Sequence, residues 1–448
     1  MKWFLYNCLF AVAYVAMLPS FLLRMKRRGG YRARFADRFG RYPEEIRARF
    51  AGERPLWVHA VSVGEVQVAG QLMRALRERD RSVRFVFSTT SSTGWKVAEN
   101  ELARLKRDGL GRDDDVLIYN PLDFNGCVAR ALDQIHPRAV ILTETEIWPN
   151  FIRALRRRGV PVYLVNARIS DHSAPRYRAL RWFFGEIFRA FTKIYAQSDL
   201  DAERLLAAGA DAARLAVTGS FKFDVAHRNP AKERELAAWL RAGLGLAADA
   251  PLPPILLGGS TWPGEDAALL RIYADLARKH PELVLVIAPR HFEKADAVEA
   301  CIRAAGFEVV RRSRGEGACA RGTAAPVFLA DTTGELMGLF GLATVAFVGK
   351  SLCAVGGQNM IEPCLCGCAA VVGPHTENFR PVMSDLLAAQ AIVQVADEAE
   401  LARAVTALFD DPAARAAQGA RAEAAVARRC GVVGRCADEL LRCSSLGI

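Results

Sequence analysis

Short apolar runs alternate with amphipathic, helix-like segments from Leu56 onward. The first half contains six such runs, including "LWVHAVSV", "AVILTETE" and "LAVTGSF", and the second half contains six more, including "PILLGGST", "LVLVIAPRH" and "TVAFVGKS". Continuous runs of Val, Ile and Leu between helices are typical of parallel strands that are covered on both faces. A polar stretch, "KFDVAHRNPAKERE", separates the two sets. The pattern therefore predicts an α/β chain with two doubly wound domains.

The first residues follow a different pattern. Trp3 to Leu23 is uncharged and mostly apolar, and as a helix it would be about 31 Å long, enough to cross a bilayer. The cluster of basic residues comes after this segment, which argues against a signal peptide and leaves the rest of the chain in the cytoplasm. They are Arg24, Lys26, Arg27, Arg28, Arg32, Arg34 and Arg38. The alternative is a buried or surface-lying helix, kinked near Pro19.

Length and charge narrow the class of protein. At 448 residues the chain exceeds what one core usually serves, and its formal charge of +11 indicates a polyanionic partner. A nucleic-acid-binding protein would need basic residues interleaved with aromatic ones on a platform. Here the arginines are spread along helices and clustered after the apolar segment, so no nucleic-acid partner is expected. The polyanionic partner is therefore expected to be an anionic membrane face or a phosphorylated substrate.

The cysteines predict neither disulfides nor a metal site. The chain has 11 Cys and no CxxC pair, and the closest cluster is Cys364, Cys366 and Cys368 inside an apolar segment. Zinc sites usually combine such a cluster with a second pair of Cys or His residues. Scattered thiols fit a reducing cytosol, and no metal is expected.

Glu65 is the first candidate for chemistry, because it stands where the run "LWVHAVSV" gives way to a helical pattern. Ser62 and Glu65 have the spacing of a capping box, in which each residue hydrogen-bonds the other's backbone amide. The pattern alone favours this cap. A general base in the same place is chemically reasonable as well, because a helix N-terminus favours an anion.

A glycine-rich turn marks a candidate phosphate site in the second half. In "KSLCAVGGQNMIEP" a strand ends in Gly-Gly, and Gln358 to Glu362 has the pattern of a helix start whose free amides could meet a phosphate. Glu362 could accept hydrogen bonds from ribose hydroxyls. The stretch lacks the P-loop Lys-Ser/Thr and the spacing of GxGxxG. The alternative is a turn with a solvent-facing Glu.

Other polar residues follow predicted strands, each with a structural alternative. Arg290 and His291 follow the most apolar strand of the second half, where an arginine could neutralise a phosphate or simply face solvent. Thr333, Gly334 and Glu335 precede a helix and could bind a ligand or cap it. The remaining residues of this kind are Glu144, Glu146 and Lys222.

Taken together, these motifs resemble those of the 3-deoxy-D-manno-octulosonic acid (Kdo) transferases of Gram-negative lipid A assembly. The matching stretches are "VHAVSVGE", "TETEIWPN", "NARIS", "TGSFKFD", "APRH", "DTTGELM", "GGQNMIEP" and "GPHTENF", in the family's order and behind an N-terminal membrane anchor. The nearest rivals are other transferases of the same fold that use a UDP-sugar, or nucleotide-sugar epimerases, which lack an anchor followed by "SVGE".

The resemblance implies a GT-B architecture, with two Rossmann-like domains facing a central cleft. Residues 1–28 would form the anchor and its basic flank, 29–225 the acceptor-binding domain and 226–448 the CMP-Kdo-binding domain. The implied reaction moves Kdo, with inversion and without a cofactor, to the 6'-hydroxyl of the tetra-acylated lipid A precursor (lipid IVA). The resemblance implies the cytoplasmic side of the inner membrane as the location, and the number of Kdo residues added stays open.

The resemblance also implies roles for individual residues. Glu65 would be the general base, and Glu144 and Lys222 would stabilise the transition state. The implied CMP contacts are Pro289, Arg290, Thr333, Gly334, Glu335, Asn359, Met360, Ile361 and Glu362. Two positions depart from the family pattern: Gln358 replaces a His, which puts any donor-binding role of that His in doubt, and Asp37 replaces a more usual Glu.

Overall fold

The protein, seen in a computed structural model that describes residues 1–28, 34–225, 228–315 and 326–442, divides into two compact units. The first unit contains Met1–Val225 together with the C-terminal helix, and the second contains Ala226–Cys430. Arg32, one of the basic residues that follow the predicted anchor, lies outside the described residues.

Each unit is built around a seven-stranded parallel sheet. The strands of the first are β1 Leu56–His59, β2 Phe85–Thr89, β3 Val116–Tyr119, β4 Ala139–Thr143, β5 Val162–Ala167, β6 Lys193–Ala196 and β7 Leu215–Val217. Those of the second are β8 Ile255–Thr261, β9 Val284–Pro289, β10 Val309–Arg311, β11 Val327–Leu329, β12 Val345–Val348, β13 Ala369–Val372 and β14 Val393–Gln394. Their orders are β3-β2-β1-β4-β5-β6-β7 and β10-β11-β9-β8-β12-β13-β14.

Helices connect the strands. In the first unit they are α1 Lys2–Arg28, α2 Glu44–Ala48, α3 Val63–Arg79, α4 Ser92–Arg107, α5 Asn125–Ile135, α6 Pro149–Arg157, α7 Ala174–Ala179, α8 Arg181–Phe188, α9 Asp199–Ala207 and α10 Lys222–Val225. The second unit has α11 Pro230–Leu244, α12 Glu265–Lys279, α13 Ala295–Ala304, α14 Leu336–Leu342, α15 Ile361–Leu365, α16 Arg380–Ala388, α17 Glu398–Asp410 and α18 Pro412–Ala427, after which α19 Val432–Arg442 belongs to the first.

The strand orders locate the binding edge of each sheet. In the first sheet β1 lies between β2 and β4, so the connections that leave β1 and β4 run in opposite directions along the sheet. The neighbouring strands β8 and β12 repeat this arrangement in the second sheet. Ligands of doubly wound sheets bind at such a reversal, beyond the carboxyl ends of the strands. The predicted two doubly wound domains are confirmed.

Two strands were missed by the sequence pattern. Both β3 and β10 are edge strands of four and three residues, and each pairs with one neighbour. Burial of β3 is incomplete at Leu117. A short edge strand needs no long apolar run, because only one side of its backbone pairs with the sheet.

The C-terminal helix corrects the predicted domain boundary. Residues 226–448 were assigned to the second domain, but α19 packs its apolar face into the core of the first unit. The buried residues on that face are Val432, Val433, Cys436, Ala437 and Leu440. The carboxylate of Asp224 accepts hydrogen bonds from the amides of Gly431, at 2.5 Å, and Val433, at 2.7 Å, and thereby fixes the start of the helix.

The N-terminal helix α1 has the predicted length and composition. Its segment Lys2–Ser20 is long and apolar enough to cross a membrane, and none of that segment is fully buried. Asp37, the residue that departs from the family pattern, is buried and bonds both Arg34 and the amide of Tyr119. This residue therefore stabilises the segment that follows the anchor.

Candidate active site

Glu65 makes the predicted capping box at the start of α3. Its own amide donates to Ser62 Oγ at 3.3 Å, while its carboxylate accepts from the amide of Val61 at 2.9 Å and from Ser62 Oγ at 3.0 Å. Only 9% of the residue is exposed. These bonds fix the carboxylate at the carboxyl end of β1, beside the topological reversal of the first sheet. The cap is confirmed, and the role as base stays a prediction.

Glu144 and Glu146 bring two more carboxyl groups to the same place. The strand β4 ends at Thr143, and Glu144 has a φ of 52°, which turns the chain sharply after the strand. Burial, together with the charges of Glu65 and Glu144, raises the pKa of Glu146 to about 8, although the hydrogen bond from Trp148 lowers it. Burial likewise raises the pKa of Glu144, with a contribution from Glu65. The three carboxyl groups therefore lie close enough to interact.

Lys222 faces this cluster from α10. Burial lowers the pKa of its ammonium group, whereas the nearby charge of Glu144 raises it. The effect is mutual, since Lys222 lowers the pKa of Glu144. The structure thus brings together the three residues for which the sequence implied chemistry in the first domain.

His59, at the end of β1, lies beside the cluster. Its ring is fully buried, and Nδ1 lies 2.8 Å from Oγ and 3.1 Å from the carbonyl oxygen of Ser88. Burial lowers the pKa of His59 to about 4. Nε2 has no hydrogen-bond partner among the described residues and lies 3.9 Å from Glu146 Oε2.

Sequence reasoning also missed Asn166 and Arg168, which follow β5. Asn166 has a φ of 53°, and its side chain accepts from the amide of Phe221 at 3.0 Å and donates to Glu144 Oε1 at 3.4 Å. It therefore ties Glu144 to the segment that carries Lys222. Arg168 lowers the pKa of Glu144. A polar Asn at the end of the apolar strand "VYLVNA" is the signal that could have identified the site.

In the second unit, five of the implied CMP contacts line one cavity. Its volume is about 130 Å³, and its walls include Pro289, Arg290, Thr333, Gly334 and Glu335. The other lining residues are Ser260, Ala288, Phe292, Ala330, Thr332, Leu336 and Leu339. Ser260, which sequence reasoning did not single out, comes from β8 and has a φ of 54°. The cavity lies at the carboxyl ends of β8, β9 and β11.

The carboxylate of Glu335 binds basic side chains and does not cap α14. Arg312 donates to both carboxylate oxygens of Glu335 at 3.0 to 3.3 Å, and Thr332 donates to one of them. Although burial raises the pKa of this carboxyl group, these hydrogen bonds lower it overall. No side chain caps α14 among the described residues, so the alternative of a capping role for this stretch is wrong.

The segment Gln358 to Glu362 differs from the predicted helix start. The helix α15 begins at Ile361, and the amide of that residue already donates to Asn359 Oδ1 at 3.1 Å. Met360 and Ile361 are fully buried, and their implied contacts with CMP stay a prediction. Glu362 accepts from Asn359 Nδ2 at 3.0 Å. Burial raises the pKa of Glu362, and the charge of Arg290 lowers it, which places that arginine nearby.

The Gly-Gly pair before this helix is required by the backbone. Gly356 and Gly357 have φ values of 118° and 70°, which L side chains rarely adopt. A Cβ on Gly356 would also lie 2.6 Å from Asn378 Nδ2. The turn is anchored by the amide of Gly356, which donates to Glu377 at 2.8 Å. Gln358 therefore follows a sharply turned backbone and is half-buried.

The cysteine cluster belongs to the core. Cys364 and Cys368 are buried, and burial raises the pKa of the Cys364 thiol to about 12. Over the described ranges, no group of three or more His, Cys, Asp or Glu side chains is arranged to hold a metal ion. The buried thiols are therefore packing groups.

Comparison with known proteins identifies relatives over nearly the whole chain. A family profile described as 3-deoxy-D-manno-octulosonic-acid transferase (kdotransferase) matches residues 33–225. The 3-deoxy-D-manno-octulosonic acid transferase of Bordetella pertussis is 38% identical, and the alignment covers 93% of this chain and 94% of the relative. The enzyme of the same name from Haemophilus influenzae is 31% identical, with coverage of 86% and 85%.

Solved structures share the fold at low sequence identity. The UDP-GlcNAc 2-epimerase of Neisseria meningitidis, solved with UDP-GlcNAc, covers 86% of this chain and 98% of its own, with a TM-score of 0.57 and 13% identity. At this identity the likeness concerns the fold alone. Together with the two sheets, it shows the predicted GT-B class of two Rossmann-like domains.

Proposed function

Because this chain belongs to the 3-deoxy-D-manno-octulosonic acid transferase family, a group of glycosyltransferases in lipopolysaccharide biosynthesis, we propose that it transfers Kdo from CMP-Kdo to the 6'-hydroxyl of tetra-acylated lipid A precursor. The transfer inverts the anomeric centre and needs no cofactor. The observation that carries this proposal is the buried Glu65 carboxylate, held at the topological reversal of the first sheet beside Glu144 and Lys222.

In the proposed reaction Glu65 accepts the proton of the acceptor hydroxyl. That oxygen forms a bond to the anomeric carbon of Kdo while the bond from this carbon to the CMP phosphate breaks, and CMP leaves with the electron pair. A base is useful only while ionised. The amide of Val61 and the hydroxyl of Ser62 donate to the Glu65 carboxylate and so hold it in a fixed position at the start of α3.

The proposed roles of Glu144 and Lys222 follow from their mutual electrostatic interaction. A cation and an anion fixed beside the reacting groups can stabilise charge that develops in the transition state without reorganising solvent. Asn166 holds the Glu144 carboxylate in place, and the ammonium of Lys222 is kept partly desolvated, which strengthens its field.

The second unit would bind the donor. Arg290 lines the cavity and faces solvent, so its guanidinium is available to a phosphate, and Glu362 nearby is available to ribose hydroxyls. Met360 and Ile361 can contribute only their backbone, because their side chains are in the core.

The base assignment predicts that Glu65→Gln loses at least about a hundredfold in transfer rate, since general bases typically contribute that much. The assay is mass spectrometry of the lipid product after incubation with CMP-Kdo and tetra-acylated precursor, which also counts the Kdo residues added. CMP affinity should stay unchanged.

A matched control comes from the second unit. Glu400 makes the same kind of cap at α17, with its amide on Asp397 at 2.8 Å and its carboxylate on the amide of Ala396 at 2.8 Å. Glu400→Gln should lower stability by about 1 kcal/mol and leave the rate within about twofold. Equal rates for both variants would reduce Glu65 to a cap.

Donor binding predicts that Arg290→Ala weakens CMP binding about tenfold, as expected for loss of a charge-assisted hydrogen bond. Isothermal calorimetry with CMP measures this directly, and titration with UDP separates a Kdo transferase from relatives that use UDP-sugars. Arg278→Ala, which removes an exposed arginine on α12, is the control. Unchanged affinity in Arg290→Ala would remove this residue from the donor site.

A further inference from the structure

The helix α1 is docked along one side on the first unit. Half-buried positions recur at residues 2, 3, 6, 7, 10, 11, 14 and 18, which form one face of a helix, and the positions between them are exposed. On the docked face Trp3 and Tyr6 pack against Phe183 of α8, and Phe10 and Tyr14 pack against Phe124. The contact therefore follows the helix for about four turns.

Polar contacts fix the register of this docking. The hydroxyl of Tyr6 donates to Asp123 at 2.7 Å, and Asn150 donates to the side chain of Asn7 at 2.9 Å. Lys2 forms an ion pair with Glu186 of α8. Asp123 is itself buried and accepts from the amides at the start of α6.

These contacts are incompatible with a helix that crosses a bilayer. Residues 2–20 would occupy most of the hydrocarbon core, which is about 30 Å thick. The partners of Lys2, Tyr6 and Asn7, which are Glu186, Asp123 and Asn150, would then lie in lipid. Carrying Asp123 and Glu186 into hydrocarbon costs several kcal/mol, and releasing them from the helix removes the Tyr6 hydroxyl from the buried Asp123 and the ammonium of Lys2 from Glu186.

The other face of α1 is apolar and uncovered. Phe4, Leu5, Leu9, Val12, Val15 and Met17 are each at least half exposed. Trp182 of α8 is also exposed and lies beside Phe183, so it extends the same surface. A soluble surface rarely carries so long an apolar stripe.

The elements under α1 supply charge of one sign. Exposed arginines on or just outside α6, α7 and α8 are Arg156, Arg157, Arg176, Arg178 and Arg181. The acidic residue of these three helices is Glu186, which Lys2 neutralises. Such a basic surface beside an apolar stripe complements an anionic bilayer, which offers acyl chains and phosphate groups side by side.

We propose that α1 lies in the plane of an anionic membrane, with its exposed face among the acyl chains and the arginines of α6, α7 and α8 on the headgroups. This inference rests on the proposed membrane substrate and specifies how the enzyme meets it. The loop that carries Glu144 and Glu146 leads directly into α6, which begins after Trp148. A membrane bound to α6 therefore lies next to this loop. A lipid acceptor reaches the first unit without leaving the bilayer.

The test measures depth along the helix in the full chain. A fluorescent amino acid is incorporated at Leu5, Val12 or Ala16, which share the exposed face, and is quenched by lipids brominated at different acyl carbons. The vesicles contain phosphatidylethanolamine and phosphatidylglycerol. We expect one shallow depth at all three positions. A spanning helix would place Val12 deepest, about 10 Å below Leu5, and would overturn the proposal. Absence of vesicle binding would also overturn it.

Charge removal provides an independent measurement. Arg176→Gln, Arg178→Gln and Arg181→Gln together should weaken vesicle binding by roughly fivefold for each charge removed. The matched control removes three exposed arginines of the second unit, Arg271, Arg278 and Arg403, and should have a much smaller effect. Equal effects would contradict the headgroup contact. Transfer to detergent-dispersed acceptor tests the proposed reaction separately, because it requires no bilayer.

Discussion

Three carboxyl groups share the edge of the first sheet, and their surroundings differ. Glu65 accepts backbone and hydroxyl hydrogen bonds. Glu146 accepts only from Trp148 Nε1 among the described residues, at 2.9 Å, and burial raises its pKa to about 8. A proton on Glu146 limits the negative charge beside Glu65.

Glu146→Gln tests this protonation state through stability. A carboxyl group whose pKa is raised on folding stabilises the native state fully below its unfolded pKa, near 4.5, and this contribution is lost as the pH rises towards 8. The neutral amide carries no such dependence. The variant should therefore gain stability over the wild type by at most about 1.4 kcal/mol per pH unit across that interval.

The measurement is the thermal unfolding midpoint of both proteins at pH 5, 6, 7 and 8, in unit steps through that interval. Glu99→Gln, which removes an exposed carboxylate on α4, is the control and should give a difference that does not change with pH. A constant difference for Glu146→Gln as well would mean that Glu146 is ionised throughout.

At the scale of elements, the helix α19 completes the core of the first unit from the far end of the sequence. Its apolar face lies against α3, the helix that begins with the Glu65 cap. Its first amides depend on Asp224, two residues after Lys222. The last helix therefore supports both the base and the lysine of the site from behind, without contributing a side chain to it.

Asp224→Ala should loosen this helix. Two amides at the start of α19 would lose their acceptor, at a cost of about 1 to 3 kcal/mol. Hydrogen exchange of the α19 amides should accelerate, while exchange in the second sheet stays unchanged. The comparison variant is Asp438→Ala, which also lies on α19. This substitution breaks a partly exposed ion pair with Arg79 of α3 and should cost less than about 1 kcal/mol. Similar exchange in both variants would contradict the capping role.

At the scale of the whole molecule, most of the fold followed from local pattern. Buried central strands such as β1 and β9 carry their own apolar signal, and the capping box at Glu65 is a local motif. The short edge strands β3 and β10 do not, because half of their surroundings is solvent or loop. The burial of Met360 and Ile361 depends on which residues of a short segment pack into the core, and spacing alone does not determine that. The return of α19 depends on tertiary packing that no local window contains.

That return means that the second unit is inserted into the first, with chain crossings at Val225 and at Cys430. An exchange of second units between related genes through a single breakpoint near residue 226 would also replace the last helix, and so would bring a foreign α19 against Leu72, Leu76 and Val66. Two breakpoints, one at each crossing, would exchange the second unit and leave the native helix in place. A new second unit is therefore acquired more easily as an internal segment of the gene than by replacement of the whole 3' end.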